Sequence, residues 1–94
     1  MVIGTTPILR CRVKGVDILD IENAVINLRQ NDMVLVKEDY DTNPELNCFE
    51  VYLSKEETEM FKRGLYHIWL TGEVDGVVVE TIEKTYTVES NNRR

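Results

Sequence analysis

Apolar and polar residues alternate along most of this chain with a period of two, the pattern of strands with one face turned inward. Ile8 to Val13 sets Leu9, Cys11 and Val13 against Ile8, Arg10 and Arg12, with Pro7 at its start, where a strand tolerates proline. Lys14-Gly15 reads as a turn; in Val16 to Ile21, Ile18 and Ile21 fit a helical turn or a short extended crossing containing Asp17 and Asp20, and an irregular connection is favoured. Ala24 to Gln30 places Ala24, Ile26 and Leu28 inward and Asn27 and Arg29 outward. The turn-forming pair Asn31-Asp32 joins it to Met33 to Lys37, where Val34 and Val36 share a face of an antiparallel hairpin. Glu38 to Asn47, which contains Pro44, is the most polar stretch and reads as a loop open to contacts. Cys48 to Leu53 alternates again, with Phe49, Val51 and Leu53 on one face.

Between Ser54 and Phe61 the period becomes helical. Ser54 and Glu57 have the spacing of a capping box, in which each side chain takes the other's backbone amide. Glu56, Glu57 and Glu59 suit the positive end of a short helix. So short a helix needs tertiary anchors, and Met60 and Phe61 are the expected ones. Gly64 is expected to end the helix. The next strand sets Tyr66, Ile68 and Leu70 against His67, Trp69 and Thr71. Both faces are rather apolar, as in the middle of a sheet. Asp75-Gly76 is a strong signal for a two-residue hairpin turn, and Val77 to Val88 is expected to be one returning strand rich in Val, Thr, Ile and Tyr.

About six to seven short strands, with turns every ~8 to 12 residues, predict an all-β antiparallel sandwich or small barrel carrying one helical turn, Ser54-Phe61. The expected layout is an N-terminal arm at 1–6, a single domain at 7–89 and a flexible tail at 90–94.

Composition narrows the function classes. At 94 residues there is room for one modest core. With 43% apolar and 30% charged residues, the chain has the makeup of a globular domain. A net charge of -6 argues against nucleic acid and anionic membrane as partners, since both demand a basic surface. No stretch approaches the roughly 20 apolar residues of a membrane span, and the first residues do not read as a signal peptide. Cys11 and Cys48 read as reduced, small apolar residues.

Candidate chemistry is sparse. The acids Glu38, Asp39, Asp41 and Glu45 lack the spacing and central glycine of a calcium loop. Glu56, Glu57 and Glu59 are accounted for by the capped turn, and His67 has no Cys, His or Asp at ligand spacing. Gly4-Thr5-Thr6 lacks the glycines and lysine of a phosphate loop. The expectation is a protein without enzymatic activity, cofactor or metal. What stands out is Trp69, either packed in the fold or an interface anchor, a role in which tryptophan is enriched.

The order of several short motifs resembles that of small proteins encoded among the structural genes of tailed phages and prophages of Gram-positive bacteria. These are an opening Gly4-Thr5-Thr6-Pro7 arm before a strand, a strand ending in glutamine and a polar turn (Ile26 to Asp32), and an apolar strand running into lysine (Met33 to Lys37). The Leu53 to Thr58 turn follows, with Phe61 and Gly64 behind it, and then a closing strand, Asp-Gly turn and strand. Arg10, Cys11 and Arg12 depart from the threonine-rich first strand usual in that group. The resemblance implies an immunoglobulin-like sandwich, a baseplate, neck or fibre accessory present in the host cytoplasm and then the virion, and partners that are other phage structural proteins or further copies of itself. The contact residues expected on this reading are His67, Trp69 and Thr71 on one strand face, Thr5 and Thr6 in the arm, and Tyr40 in the polar loop. The alternative, motivated by charge, is a small acidic regulator whose carboxylates imitate phosphates on a host protein.

Overall fold

The computed structural model describes residues 1–81 and 83–90. Among these residues nine strands form two sheets: β1 (Val2–Ile3), β2 (Ile8–Cys11), β3 (Glu22–Gln30), β4 (Met33–Lys37), β5 (Asp41–Asn43), β6 (Cys48–Tyr52), β7 (Gly64–Val74), β8 (Val77–Glu80) and β9 (Lys84–Ser90). The larger sheet runs β1-β9-β7-β3-β4, with β8 also paired to β7; the smaller runs β2-β6-β5. All pairings are antiparallel except that of β1 with β9. The chain is thus all-β, with one short helix α1 (Lys55–Thr58) and a 3₁₀ turn at Ile18–Asp20.

The inward faces of both sheets meet in one core. Ile26 and Leu28 of β3, Tyr66, Ile68 and Leu70 of β7 and Val88 of β9 pack with Phe49 and Val51 of β6, Leu53 and Phe61. Each such aliphatic side chain, fully buried, stabilises the fold by about 1.5–3 kcal/mol before conformational entropy is counted. β7 lies between β3 on one side and β8 and β9 on the other, so both of its edges are taken up by backbone pairing. At Gly72 the strands approach closely: a Cβ there would lie 2.7 Å from Ile21 Cγ2 and 3.3 Å from the Glu22 carbonyl. This crowding sits where the β3–β7 register shifts, between Glu22 and Val25. Asp75 and Gly76 both have positive φ, 51° and 78°, as a two-residue hairpin turn of this kind requires.

Polar side chains tie the connections together. The Gln30 amide holds the loop before β7: its Oε1 accepts from Lys62 N at 2.7 Å and its Nε2 donates to Lys62 O at 2.6 Å. Asn47 Oδ1 accepts from Ile18 N at 2.7 Å while its Nδ2 donates to Val16 O at 2.9 Å. Buried Thr58 accepts from Gly4 N at 2.9 Å, so the helix and the N-terminal arm are latched together. The capping box forms in both directions, Glu57 N to Ser54 Oγ at 3.1 Å and Ser54 N to Glu57 Oε1 at 2.9 Å. Lys37, only 7% exposed, adds its ammonium to both Glu57 oxygens at 3.0 and 2.8 Å. Burial works to raise the Glu57 carboxyl, but the hydrogen bonds from Lys37 and Ser54 outweigh it and hold it below the usual glutamate range.

Several expectations are corrected. Val77 to Val88 is not one strand: it is divided into β8 and β9, which pair with opposite ends of β7. Thr81 lies at the division, its N–H donating to Leu70 O and its hydroxyl accepting from Leu70 N, both at 2.9 Å. The polar loop 38–47 contains β5, an edge strand that needs no apolar face because backbone pairing with β6 holds it. The helical turn is anchored by Thr58 and Phe61 rather than Met60, which is 48% exposed. Gly64 does not cap the helix; Glu59 does, and Gly64 opens β7. The connection before β3 contains a 3₁₀ turn, capped by the Asp17 side chain accepting from Leu19 N at 2.9 Å. In the arm, Val2 and Ile3 pair with β9 of the same chain. Of the tail expected at 90–94, Ser90 is the last residue of β9 and 91–94 lie outside the described residues.

Candidate functional site

The outward face of the larger sheet gathers the side chains that the core does not use. Because β7 alternates, Leu65, His67, Trp69, Thr71 and Glu73 point away from the residues that fill the core. Strand register then sets their neighbours. Trp69 lies opposite Asn27 of β3, His67 opposite Arg29 and Thr71 opposite Val25. One strand further, Val36 lies opposite Asn27 and Val34 opposite Arg29. On the other side, Thr85 of β9 is opposite His67, while Glu80 and Val78 of β8 are opposite Thr71 and Glu73. Val34 and Val36 are about half exposed and Leu65 and Val78 more so, while His67, Trp69 and Thr71 are half-buried. The result is an open sheet face with apolar residues around Trp69 and polar groups threaded between them.

Those polar groups order the tryptophan's surroundings. The Arg29 guanidinium lies over the Trp69 ring, 5.9 Å from its centroid, a cation–π arrangement. Arg29 Nη2 also reaches Glu83 Oε1 at 3.4 Å, and the same oxygen lies 2.6 Å from His67 Nδ1. A carboxylate only accepts, so Nδ1 carries the proton and, in the neutral ring, Nε2 is the acceptor. The Thr85 hydroxyl approaches this same Nδ1 at 3.2 Å. The hydroxyl therefore sits on the nitrogen already engaged by Glu83, not on the one a general base would use. Asn27 Nδ2 donates to Thr71 Oγ1 at 3.4 Å. Arg29 and Glu83 are each more than two-fifths exposed, so their pairing contributes less than about 1 kcal/mol. Its consequence is positional: the guanidinium and the imidazole are both held beside Trp69.

The expected contact residues divide into separate places. His67, Trp69 and Thr71 share the outward face of β7. Thr5 forms a turn in the arm, its hydroxyl donating to Val2 O at 2.6 Å, and Thr6 beside it is exposed. Tyr40 meets Phe49 with the rings tilted at 53° and their centroids 4.6 Å apart, and packs against the core. Arg29 and Glu83 join the tryptophan face although neither stood out along the chain. Register alone brings Arg29 beside His67, and Glu83 enters from the division between β8 and β9.

Among the described residues, no three His, Cys, Asp or Glu side chains are grouped to hold a metal ion, and no helix is long and apolar enough to cross a membrane. Cys11 and Cys48 are free thiols, Cys48 buried. Burial, with Cys48 nearby, pushes the Cys11 thiol up to about 11, so it is held protonated and weakly nucleophilic.

No family model matches the chain, and no curated protein matches it. Among solved structures it is similar to the endo-beta-1,4-mannanase from Thermotoga petrophila, with a TM-score of 0.56 and 16% sequence identity over 98% of this chain. The chain spans 17% of that enzyme's length. At such identity the likeness concerns the fold alone.

Proposed function

We propose that this chain is a non-enzymatic structural or assembly module of a phage or prophage particle, such as a baseplate, neck or fibre accessory. It acts by docking the outward face of its larger sheet on a neighbouring subunit, either a further copy or another structural protein. The observation that carries this reading is the open face around Trp69. Half-exposed Val34 and Val36 lie one strand beyond Asn27 and Arg29, and Arg29 already covers Trp69 on one side. Tryptophan and arginine are the residue types that dominate contact energies at protein interfaces. The ordered motif resemblance points the same way and supplies the setting, host cytoplasm and then virion. Repetition in a symmetric particle would multiply a weak single contact.

The finer fold reading is an immunoglobulin-like sandwich, and strand order supports it. β2, β6 and β5 stand in the relation of strands B, E and D; β9, β7, β3 and β4 in that of G, F, C and C′. β1 joins β9 in parallel as a short first strand. The inter-sheet disulfide of antibody domains is absent, and the tryptophan lies on the outside of β7 rather than in the core.

The rival reading, an acidic regulator, needs its carboxylates in one continuous stripe. On this face Glu83 is instead engaged by Arg29 and His67. Light scattering across a concentration series, on the wild type and on Trp69→Ala, tests the proposal. A defined oligomer that Trp69→Ala dissociates supports docking through this face. An oligomer unchanged by the substitution contradicts it.

A further inference from the structure

The two sheets cover each other unevenly. Among the described residues the smaller ends at β2, which pairs with β6 alone. Beyond it the inward side of β9 is left open at Tyr86, and a cleft of ≈ 630 Å³ lies there, lined among others by Leu9, Cys11, Tyr66, Ile68, Lys84 and Tyr86. Tyr86 is in register with Tyr66 and their rings lie 6.0 Å apart. Yet Tyr66 is 2% exposed and Tyr86 50%. Both face the interior side of the sheet; the smaller sheet stops before it reaches Tyr86.

Among the described residues the edge of β2 beside this cleft has unused backbone groups. In an antiparallel strand, alternate residues turn both N–H and C=O toward the partner and then away from it. Pro7 O accepts from Leu53 N at 3.1 Å, and the register continues unshifted through Cys11. Pro7, Leu9 and Cys11 therefore face β6, and Ile8 and Arg10 face the open side. Such an edge is a template for one more strand.

The rim carries one sign of charge. Arg10, Arg12 and Lys84 all line the cleft, in a chain of net charge -6. Arg10 is paired with Glu50 at 2.9 Å. Among the described residues Arg12 and Lys84 make no ion pair. A second copy joining edge to edge through β2 would bring the two copies' arginines together, which like-charge repulsion disfavours.

We propose that the β2 edge and this cleft receive an extended segment of another protein, one that alternates apolar and acidic side chains and adds as a fourth strand of the smaller sheet. Its inward apolar residues cover Tyr86, its outward carboxylates meet Arg12 within the positive field to which Lys84 contributes, and its backbone pairs with Ile8 and Arg10. This surface is distinct from the Trp69 face, so the two stand or fall separately.

The probe is a fluorescein-labelled peptide of alternating valine and glutamate, about six residues long, the span of an ordinary strand. Fluorescence anisotropy measures binding and amide NMR locates it. The expected result is saturable binding that shifts the Ile8, Arg10 and Tyr86 amides. A valine–lysine peptide, or the same acidic peptide methylated on alternate backbone nitrogens, should bind at least about tenfold more weakly. The double variant Arg12→Glu, Lys84→Glu should reverse the charge preference, its fold checked by circular dichroism. If that variant does not fold, the methylated peptide on the wild type decides. Absence of saturable binding, equal binding of the lysine peptide, tolerance of backbone methylation, or shifts confined to the Trp69 face would each overturn the proposal.

Discussion

The two faces of β7 are made from neighbouring residues of one strand and do opposite work. Inward, Tyr66, Ile68 and Leu70 are buried among residues of both sheets. Outward, Arg29 lies over Trp69 and Glu83 engages His67, so that these two are covered by polar side chains. The inner face is complete within the chain. The outer face has the residue types of an interior but only part of the cover. The difference teaches where to look for function in a domain without evident chemistry: not at the most buried aromatic residue but at the one left partly covered.

This contrast can be broken from either side, and the largest effect is expected inside. Leu70→Ala should lower stability by about 2–5 kcal/mol in chemical denaturation, the cost of a core cavity, without a specific effect on association in the folded fraction. A loss under about 1 kcal/mol would mean that the inner face is not the closed core described. Next is the clamp that fixes how the chain enters β7. Gln30→Ala leaves the Lys62 backbone groups without their side-chain partner and should cost about 1–3 kcal/mol.

The Lys37–Glu57 contact supplies a smaller and pH-dependent effect. Because the folded-state carboxyl is held below its unfolded value, its contribution is present above the ordinary glutamate range and is lost as pH falls through the folded value. Glu57→Gln should therefore be less stable than the wild type at neutral pH, by about 1–2 kcal/mol. The gap should close on acidification. A gap that is constant with pH would show that the charge contributes nothing. The smallest effect on stability, less than about 1 kcal/mol, is expected for Trp69→Ala, whose contacts are largely surface ones. The same substitution should have the greatest effect on association.

Much of this division was legible in the sequence, for a physical reason. Alternation reports which side of a strand is inward, so the phases of β3, β6 and β7 follow from their residues, as do the Asp75-Gly76 turn and the Ser54–Glu57 capping box. Features held by partners distant in the chain were not legible. β5 is polar and exists through pairing with β6, and β1 is only two residues long. Thr58 looks like any polar helix residue until Gly4 is seen to donate to it. Phe61 and Met60 are adjacent apolar residues, and only the path of the chain after the helix buries one and exposes the other. At the candidate site, the phase of His67, Trp69 and Thr71 could be read directly. That Arg29 covers Trp69 and that Glu83 bridges Arg29 and His67 depend on strand register and on the division of the return strand.

The central claim is that the face around Trp69 is closed by another subunit, and one measurement addresses it directly. Trp69 is the chain's single tryptophan, so its fluorescence reports that face alone. Acrylamide quenching should be measured over a concentration series, with solution mass determined on the same samples. The account predicts that quenching falls and emission shifts to the blue as the oligomer forms or a structural partner is added. Assembly that leaves Trp69 as quenchable as in the monomer would contradict it.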